Sequence, residues 1–550
     1  MLARSAAAAV LVAAHLALAL VAAPPPALAQ PEENLLERLK TFNDILRLVR
    51  TNYVEDVDAA KLVDGAIEGL LRELDPHSNY LDPKRFEQMN ERNRGEYYGI
   101  GISFAIRQGY LTVIAPIEGS PSDRLGIRAG DRVVKIDGES AMGISENDVF
   151  EQLRGPEGTT VHVSIQREGE EKLLEFDITR EKIPIKSIPY AFMLGRDTGY
   201  IRMIRFAATT GDELETALDH LEASGMKRLV FDLRLNAGGY LEQAVEVADK
   251  FLDAGQLIVY TKGRIRGASE EHYASDLDSH PRMPLVVLIN HGSASASEIV
   301  AGAIQDQDRG LVVGQTSFGK GLVQRQYRLR DGSALFLTVA RYYTPAGRLI
   351  QRDYAKDKIS YYAEGYDEED PNANADSTSA DRPAFHTASG RLVFGGGGIT
   401  PDVRFDPEEL SEAQQAIERA NLPFTFANTY VGRSGLKYPA GFERFLADWQ
   451  LDDTIWKAFL AFAAETDVEL TPAELEAERQ YIARSVKREI AGNLWGPTER
   501  YRVVMANDHA LEQALGLFPR ASELMAMSAQ ATGKPAWAGG PAHTPLTGDN

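Results

Sequence analysis

The sequence contains no cysteine, which excludes disulfide bonds, thiol catalysis and attachment of a lipid through a cysteine. It also has no excess of basic residues: 59 Lys and Arg against 80 Asp and Glu give a formal net charge of −21. Because nucleic-acid binding needs a concentrated basic surface, no nucleic-acid partner is expected. Beyond the first 30 residues, no segment is apolar over the roughly 20 residues that a membrane-spanning helix requires.

The first residues have the pattern of an export signal. Arg4 is basic, Ala6–Ala23 is nearly all apolar, and Ala27–Ala29 matches an A-x-A cleavage site. A retained membrane anchor is the alternative. The apolar stretch is short and rich in alanine, and Pro24–Pro26 closes it, which favours cleavage. The sequence therefore predicts a signal peptide over residues 1–29, and an exported chain without cysteine suits a bacterial periplasm.

Changes in hydrophobic periodicity divide the remaining chain into regions. The predicted regions are an N-terminal helical segment (30–90), a β-rich module (91–180), an α/β core (181–406), a helical C-terminal region (407–527) and a disordered tail (528–550). The fold class is thus multidomain, α/β and α+β. The predicted helices include Asn34–Glu55, Ala59–Leu74, Glu146–Leu153, Asp212–Ala223, Leu241–Leu252 and Glu298–Gln305. The core strands, LIVYT and PLVVLIN among them, are expected to form a largely parallel sheet.

Three serines follow the apolar run PLVVLIN, within the stretch HGSASASEIVAGAIQD. A turn from a strand into a helix exposes a side chain, and the helix amides favour a developing oxyanion. One of Ser293, Ser295 and Ser297 is therefore a candidate nucleophile. The alternative is that these serines only cap the helix, and their spacing alone does not choose between them.

The base for such a serine is not an obvious histidine. His291 lies only four residues before Ser295, no G-x-S-x-G elbow is present, and the other histidines form no persuasive triad. Lys320, in SFGKGLVQ, has apolar neighbours that would limit its access to water. Burial disfavours the ammonium and lowers its pKa, so a neutral lysine could accept the serine proton. Gln324 can orient this amine without adding a charge.

The segment Gly314–Gly321 nearly matches the P-loop pattern G-x-x-x-x-G-K-[ST]. Gly321 replaces the final hydroxyl residue that would bind Mg²⁺, and the following residues alternate like a strand. A nucleotide-binding switch is therefore disfavoured. No cofactor or metal is expected, since the sequence has no H-E-x-x-H and no Cys/His cluster with ligand spacing.

Several motifs, taken together, resemble the carboxyl-terminal processing proteases, which are tail-specific serine peptidases with a PDZ domain. The motifs occur in this order: LDPHS (Leu74–Ser78), YYGIGISF (Tyr97–Phe104), EGSPSDRLGIRAGDRVVKIDG (Glu118–Gly138), GYIRMIRF (Gly199–Phe206), DLRLNAGG (Asp232–Gly239), GSASASEIVAGAIQD, FGKGLVQ, YYTPAGR (Tyr342–Arg348) and GITPD (Gly398–Asp402). The resemblance covers the chain from about Glu33 to Asp402 and is weaker beyond it. His77, in the first motif, is expected to be structural.

The resemblance implies a Ser/Lys active site. The family has its nucleophile at the middle serine of S-A-S-A-S-E, which is Ser295 here, its general base at Lys320 and an assisting glutamine at Gln324. Ser293 and Ser297 are then expected in turn and cap roles. Asp306, an acidic position sometimes implicated in the family, is expected to be structural, because a nearby anion would oppose a neutral lysine.

The expected oxyanion donors are the backbone amides of Ala296 and of Gly239, with Gly238 less favoured. Leu235 and Ala237 stand where relatives often carry Asn and Pro or Ser. These departures are expected to be tolerated, since the amide position depends on the glycine geometry.

The PDZ resemblance implies that a substrate tail adds as a strand to a sheet edge, with its carboxylate held by backbone amides. The residues expected to hold the tail are Tyr98, Gly99, Ile100, Gly101 and Ile102. Phe104 and the Asn147–Leu153 helix are expected to receive the last side chain, so an apolar tail is the expected ligand. Arg154, at the end of that helix, is a candidate relay between tail binding and the active site; the alternative is a solvated cation at the helix C-terminus.

The sequence thus predicts an exported serine endopeptidase that selects substrates by their C-terminal tails. The alternative is a non-catalytic periplasmic PDZ scaffold, against which the full set of Ser295, Lys320 and Gln324 argues. An adaptor or a second copy of the chain could bind through the helical termini, or the C-terminal helices could cap the core, and helical patterning does not separate these possibilities.

Overall fold

A computed structural model describes most of the 550 residues. The described ranges are 33–107, 109–276, 282–354, 382–406, 409–466 and 470–532, with the single residues 280, 361 and 468. The predicted signal peptide lies outside the described residues, as does nearly all of the predicted disordered tail. Within those ranges, no helix combines the length and hydrophobicity of a membrane-spanning segment.

The helices of the described chain are Glu33–Asn52, Ala59–Arg72, Pro83–Arg94, Pro121–Arg124, Glu146–Leu153, Thr210–Ala223, Leu241–Asp249, Ala296–Asp306, Glu412–Arg419, Leu422–Ser434, Gly441–Asp448, Asp453–Ala463, Pro472–Ala477, Arg479–Trp495, Pro497–Met505, His509–Gly516 and Phe518–Thr532. All six helices named from the sequence are confirmed, within a few residues at their ends. The helix Pro83–Arg94 was not predicted, because its sequence PKRFEQMNERNR has too few apolar residues to show a helical period.

The chain divides into two compact units, the first ending at Leu74 and the second beginning at Asp75. The described part of the first unit is a pair of helices, Glu33–Asn52 and Ala59–Arg72. Asp58 caps the second helix by accepting hydrogen bonds from the amides of Ala60 and Lys61.

The β-rich module is an antiparallel sheet with one long helix. Its strands are Ile102–Arg107, Tyr110–Pro116, Arg132–Ile136, Glu139–Ser140, Thr160–Gln166 and Leu174–Thr179. Alternate apolar side chains from these strands pack with Val149 and Leu153 of the helix into one core. Among the described residues, the strand Ile102–Arg107 pairs on one side only, so its other edge has backbone groups available to an added strand.

The core sheet is mixed but mostly parallel, as the sequence predicts. Its strands are, in spatial order, Tyr190–Leu194, Thr198–Arg202, Arg228–Asp232, Leu285–Ile289, Leu311–Gly314 and Val403–Arg404. Only the first pair is antiparallel. The central strand Leu285–Ile289 is buried along its whole length, as expected for a strand with both sheet faces covered.

The strand LIVYT does not join that sheet, and the prediction was wrong on this point. Leu257–Gly263 pairs antiparallel with Ala334–Tyr343 in a second sheet. The other strands of the second sheet are Asn79–Leu81, Glu271–Tyr273 and Leu322–Arg328. A strand that follows a helix resembles a parallel core strand in sequence, and only its distant pairing partner shows the difference.

Helices cover both faces of the core sheet. The helices Thr210–Ala223, Leu241–Asp249 and Ala296–Asp306 pack on one face. On the other face lie apolar side chains of the last three helices, Met505, Leu511 and Phe518 among them. The C-terminal region therefore completes the core in addition to forming its own helical cluster around Phe445 and Phe459.

Candidate active site

The serine turn connects the central strand Leu285–Ile289 to the helix Ala296–Asp306, here called the Ser295 helix. Ser295 has a positive φ of 56°, a conformation that residues other than glycine rarely adopt. Its carbonyl accepts hydrogen bonds from the amides of Glu298 (2.8 Å) and Ile299 (3.0 Å), so the helix begins at once. Strained backbone of this kind concentrates at functional sites.

The hydroxyls of the three serines have different surroundings. Ser293 Oγ donates to the carbonyl of Leu233 and Ser297 Oγ to that of Asn236, each at 2.8 Å. Ser295 Oγ donates no hydrogen bond within the described ranges, although it faces the Glu298 amide in a capping box at the start of the helix. Ser293 and Ser297 therefore tie the turn to the neighbouring segment, whereas the Ser295 hydroxyl is left for a ligand.

Glu298 connects the serine turn to the loop Ser317–Gly321, here called the lysine loop. One carboxylate oxygen accepts from Ser317 Oγ (2.6 Å) and the Gly319 amide (2.7 Å). The other accepts from the backbone amides of Ser295 (2.8 Å) and Lys320 (2.9 Å). Glu298 is fully buried, and this burial raises its pKa although the four hydrogen bonds lower it.

The Lys320 side chain lies at the wall of the cavity that also contains Ser295. Burial lowers the pKa of its ammonium, while the charges of Glu298 and Asp75 act in the opposite direction. Lys320 Nζ donates a hydrogen bond to Gln324 Oε1 at 3.0 Å. Among the described residues, no carboxylate forms an ion pair with Nζ, so no direct ion pair opposes the lowering of the Lys320 pKa by burial.

The Asp75–Ser78 turn orients Gln324. Gln324 Nε2 donates to the His77 carbonyl, so its oxygen faces Lys320. Asp75 in turn accepts hydrogen bonds from the amides of His77 (2.8 Å) and Ser78 (2.7 Å). The imidazole of His77 is hydrogen bonded to Tyr361 Oη at 2.9 Å, away from Gln324. His77 thus contributes its main chain to the site, in agreement with the structural role expected from the sequence.

The segment Arg234–Gly239, here called the glycine loop, faces the serine turn. The Gly238 amide donates to Asn236 Oδ1 at 3.0 Å, whereas the Gly239 amide has no partner among the described residues. The Ala296 amide, at the first position of the Ser295 helix, is likewise open. Both open amides belong to residues that line the Ser295 cavity.

Gly239→Ala is expected to lower kcat about 100-fold, because one oxyanion donor would be displaced. At Gly239 φ is +155°, and an added Cβ would lie 2.1 Å from the carbonyl oxygen of Phe206. Backbone cannot give way at that distance, so the loop itself must shift. The measurement is steady-state cleavage of a peptide together with the thermal midpoint.

Gly138→Ala is the matched control, since Gly138 also has a positive φ of +86° but an added Cβ there meets nothing within 4 Å. Its free energy of unfolding should fall by only about 1 kcal/mol, the cost of an L-residue in the left-handed region, and its kcat should not change. Equal kcat in the two variants would contradict the role given to the glycine loop.

The cavity itself has a volume of about 660 Å³. Its wall includes the residues proposed for chemistry and an apolar surface from the second sheet, with Leu322, Phe336 and Val339. Tyr342 Oη lies within hydrogen-bond distance of the carbonyls of Ser295 and Lys320. Tyr342 therefore connects the serine turn to the lysine loop.

The tail-binding residues predicted from the sequence are only partly brought together. A groove between the open edge strand and the helix Glu146–Leu153 is lined by Tyr97, Ile100, Gly101, Ile102, Phe104, Val149, Phe150, Leu153 and Arg154. Tyr98 and Gly99 are not among these lining residues; they belong to a strand that pairs with Glu181–Pro184. The groove has a volume of only about 30 Å³, because the rings of Phe104 and Phe150 meet across it at 5.5 Å.

Arg154 is not a solvated cation at a helix end. Its guanidinium lies 4.4 Å from the ring centres of both Tyr97 and Phe150, and it forms an ion pair with Glu91 of the helix Pro83–Arg94. Arg154 therefore joins the groove to an element outside the β-rich module.

Comparisons with known proteins agree with this architecture. Residues 197–360 match the model of peptidase family S41 and residues 112–167 match a PDZ domain. Residues 21–85 match the activating protease CtpB N-terminal domain, and 403–496 a family of unknown function, DUF8443. The carboxy-terminal-processing protease of Bartonella bacilliformis is 42% identical over 324 residues, which are 58% of this chain and 74% of that protein.

This chain belongs to the carboxy-terminal processing protease family. The carboxy-terminal processing protease CtpA of Bacillus subtilis is 34% identical over 319 residues, 58% of this chain and 68% of that protein. The photosystem II D1 C-terminal processing protease is 29% identical with a TM-score of 0.34, covering 69% of this chain and 95% of that one. The chain is thus a serine-type C-terminal processing peptidase with a PDZ module before its protease core.

Sequence reasoning missed Glu298 and the Asp75–Ser78 turn as parts of the site. Glu298 is the only carboxylate in the first two turns of the Ser295 helix, where the other residues are small or apolar, and that contrast was a usable signal. The contact between Gln324 and the His77 carbonyl joins residues 247 positions apart, and no local pattern shows it.

Proposed function

We propose that this peptidase hydrolyses peptide bonds with Ser295 as nucleophile and Lys320 as general base. Gln324 orients the amine, and the amides of Gly239 and Ala296 stabilise the oxyanion. The PDZ module selects substrates by an apolar C-terminal tail. Export by a cleaved signal peptide over residues 1–29 delivers the enzyme to the periplasm.

The observation that supports this proposal best is the shared cavity. It contains the Ser295 hydroxyl, which is open, and the Lys320 amine, whose pKa is lowered by burial. It also includes the two residues with open amides, Gly239 and Ala296. A nucleophile, a base with a lowered pKa and two oxyanion donors around one space are the parts that acyl transfer requires.

The reaction follows in two halves. Lys320 takes the hydroxyl proton as Ser295 Oγ attacks the scissile carbonyl, and the open amides bind the oxyanion. The ammonium returns the proton to the departing amine, which leaves an acyl-enzyme. In the second half, Lys320 deprotonates a water molecule that attacks the ester, and the carboxylate product leaves with Ser295 restored.

The first proton transfer requires a movement of the lysine side chain. Within the described ranges, Nζ is hydrogen bonded to Gln324 and not to Ser295 Oγ. Catalytic hydrogen bonds commonly tighten only when substrate is bound. Gln324 thus keeps the amine in the cavity until a substrate excludes water from it.

The groove of the PDZ module must also open. The groove has a volume of about 30 Å³, which is small for an apolar side chain, so we expect Phe104 and Phe150 to separate when a tail binds. Arg154 stacks on Phe150 and pairs with Glu91. Insertion of a tail would disturb this ion pair, which gives Arg154 a physical route to report that the groove is occupied.

A tail-binding scaffold without catalysis is the second candidate. The open groove edge alone would serve such a scaffold. A scaffold has no use for a buried lysine with a lowered pKa in the same cavity as a serine hydroxyl, so the enzyme is favoured.

Labelling with an alkyl fluorophosphonate tests the assignment. The reagent is expected to modify Ser295 once per chain, as read by peptide mass spectrometry, because only this hydroxyl of the three is open. An unstructured substrate ending in an apolar tail should be cleaved faster than the same substrate ending in Asp residues. Labelling of Ser293 or Ser297 instead, or equal cleavage by Ser295→Ala, would contradict the proposal.

A further inference from the structure

The glycine loop begins at a buried charge cluster. Asp232 is the last residue of the strand Arg228–Asp232 and has no exposed surface. Its carboxylate accepts hydrogen bonds from Tyr200 Oη (2.7 Å), Arg202 Nη1 (2.8 Å) and Arg234 Nη2 (2.6 Å). The Arg234 amide donates to the same carboxylate at 2.9 Å, so the first residue of the loop is held on two sides.

A residue of the C-terminal region completes this cluster. Asp508 Oδ1 lies 3.2 Å from Arg234 Nη1, and its Oδ2 lies 2.9 Å from Nη2. Asp508 is also the N-cap of the helix His509–Gly516, because its side chain accepts a hydrogen bond from the Leu511 amide at 2.7 Å. The same carboxylate therefore caps a C-terminal helix and forms an ion pair with Arg234, the first residue of the glycine loop.

The charges balance only when Asp508 is counted. Arg202 and Arg234 carry two positive charges and Asp232 carries one negative charge. Asp508 supplies the second negative charge, and the side chains of Arg234 and Asp508 are 19% and 15% exposed. A poorly solvated cation without its second anion gains by turning toward water, and such a turn would pull on the loop.

The rest of the glycine loop contains strained backbone, which contacts with neighbouring residues must stabilise. Leu235 adopts a positive φ of 55°, a conformation that costs about 1 kcal/mol for an L-residue. Its amide donates to Asn290 Oδ1 at 2.7 Å, and the Asn236 carbonyl accepts from the Ala294 amide at 3.0 Å. Strain of this kind persists only where surrounding contacts over-determine the backbone.

We infer that Asp508 is a positioning residue of the active site: through Arg234 it holds the glycine loop so that the Gly239 amide meets the oxyanion. This inference rests on the catalytic role proposed for Ser295. It makes the segment after residue 497 a working part of the peptidase, although the S41 match ends at residue 360. No feature of the local sequence joins Arg234 to a residue 274 positions later.

The test compares Asp508→Asn with Asp452→Asn. Asparagine is a good N-cap, so both variants keep their helix starts and lose one charge. Asp452 caps the helix Asp453–Ala463 through the amides of Thr454 and Ile455, and its side chain has no other hydrogen bond or ion pair among the described residues. Each rate is divided by the concentration of sites that a fluorophosphonate titrates, so unfolded protein is not counted.

Asp508→Asn is expected to lower kcat tenfold or more with KM within twofold, and to weaken binding of a peptide aldehyde by the same factor as kcat/KM. Asp508→Glu should recover most of the rate, and Asp452→Asn should match the wild type. Asp508→Ser, which also caps without charge, gives a second reading if the Asn variant folds poorly.

Wild-type kcat in Asp508→Asn and Asp508→Ser, or an equal loss in Asp452→Asn, would overturn this inference. The Ser295→Ala variant distinguishes a failure of the positioning role from a failure of the proposed function. If Ser295→Ala is inactive while Asp508→Asn is fully active, only the positioning role fails. If Ser295→Ala still cleaves, the proposed function fails and the positioning role fails with it.

Discussion

Lys320→Met should lower the rate of peptide cleavage by about 10⁴-fold, the size of loss seen when an essential base is removed. Methionine has nearly the same length and lies easily among apolar neighbours, so the cavity keeps its shape. Only the group proposed to accept the Ser295 proton is lost. The measurement is kcat/KM on a tailed peptide, with Lys262→Met as control, because Lys262 lies on the rings of Tyr260 and Tyr343 outside the cavity lining.

The activity of the wild-type enzyme should depend on pH through the protonation state of Lys320. Only the neutral amine accepts a proton, so activity should rise with pH through the pKa of Lys320. Since burial lowers that pKa, the rise should come below the ordinary lysine value near 10.4. A rate independent of pH between 6 and 10, or a Lys320→Met enzyme with more than a tenth of wild-type activity, would refute the base assignment.

Stability should change in the opposite sense to activity in the same variant. A lysine whose folded pKa lies below its unfolded value binds fewer protons when folded, so it destabilises the fold at neutral pH and this cost disappears as pH rises. Lys320→Met should therefore have a higher thermal midpoint than the wild type at pH 7, and the difference should shrink toward pH 10.

Glu298→Ala is the other variant with a large expected effect, on both stability and activity. Four donors would lose their acceptor in a buried site, and each unsatisfied group costs about 1–3 kcal/mol unless water enters. The free energy of unfolding should fall by at least about 3 kcal/mol. Cleavage should fall about 100-fold or more, since the serine turn and the lysine loop are joined through this carboxylate.

Glu298→Gln gives a sharper test because it keeps the shape of the side chain. Whichever way the amide is turned, its NH₂ group faces backbone amides that must also donate, so activity should still drop. The loss of the nearby negative charge should lower the pKa of Lys320 further, because that charge raises it in the native enzyme. The acid limb of the remaining activity should thus move to lower pH, and an unmoved limb would contradict the coupling.

Glu474→Gln is a suitable control for both variants. Glu474, like Glu298, is the third residue of its helix and accepts from the backbone amide of the N-cap residue, in this case Thr471, and also from the Thr471 hydroxyl. It lies at the surface of the C-terminal region. This variant should retain the wild-type rate and pH profile.

The fold followed from sequence wherever a pattern was local. The alternation of strands and helices, the helix Glu146–Leu153 and the turn after PLVVLIN all rest on periodicity and on turn residues within a few positions. The strand LIVYT was assigned to the wrong sheet, because its partner Ala334–Tyr343 lies about 80 residues later and strand order is a long-range property.

Site residues were likewise predicted where a local motif marks them and missed where only a long-range contact does. Motifs identified Ser295, Lys320 and Gln324, and their roles stay predictions until the variants are measured. The groove residues Tyr98 and Gly99 were named from the motif, but the structure assigns them to strand pairing. Glu298, His77 and Asp508 act through contacts that only the folded chain creates.

The most direct test of the account is the titration of Lys320 itself. The ¹⁵Nζ resonance of the labelled enzyme, identified by its absence in Lys320→Met, should be followed by NMR from pH 5 to pH 11. Lys320 is expected to have a pKa below 10.4 that coincides with the acid limb of kcat/KM. A lysine that stays protonated up to its ordinary pKa, while the enzyme is already fully active at neutral pH, would contradict it.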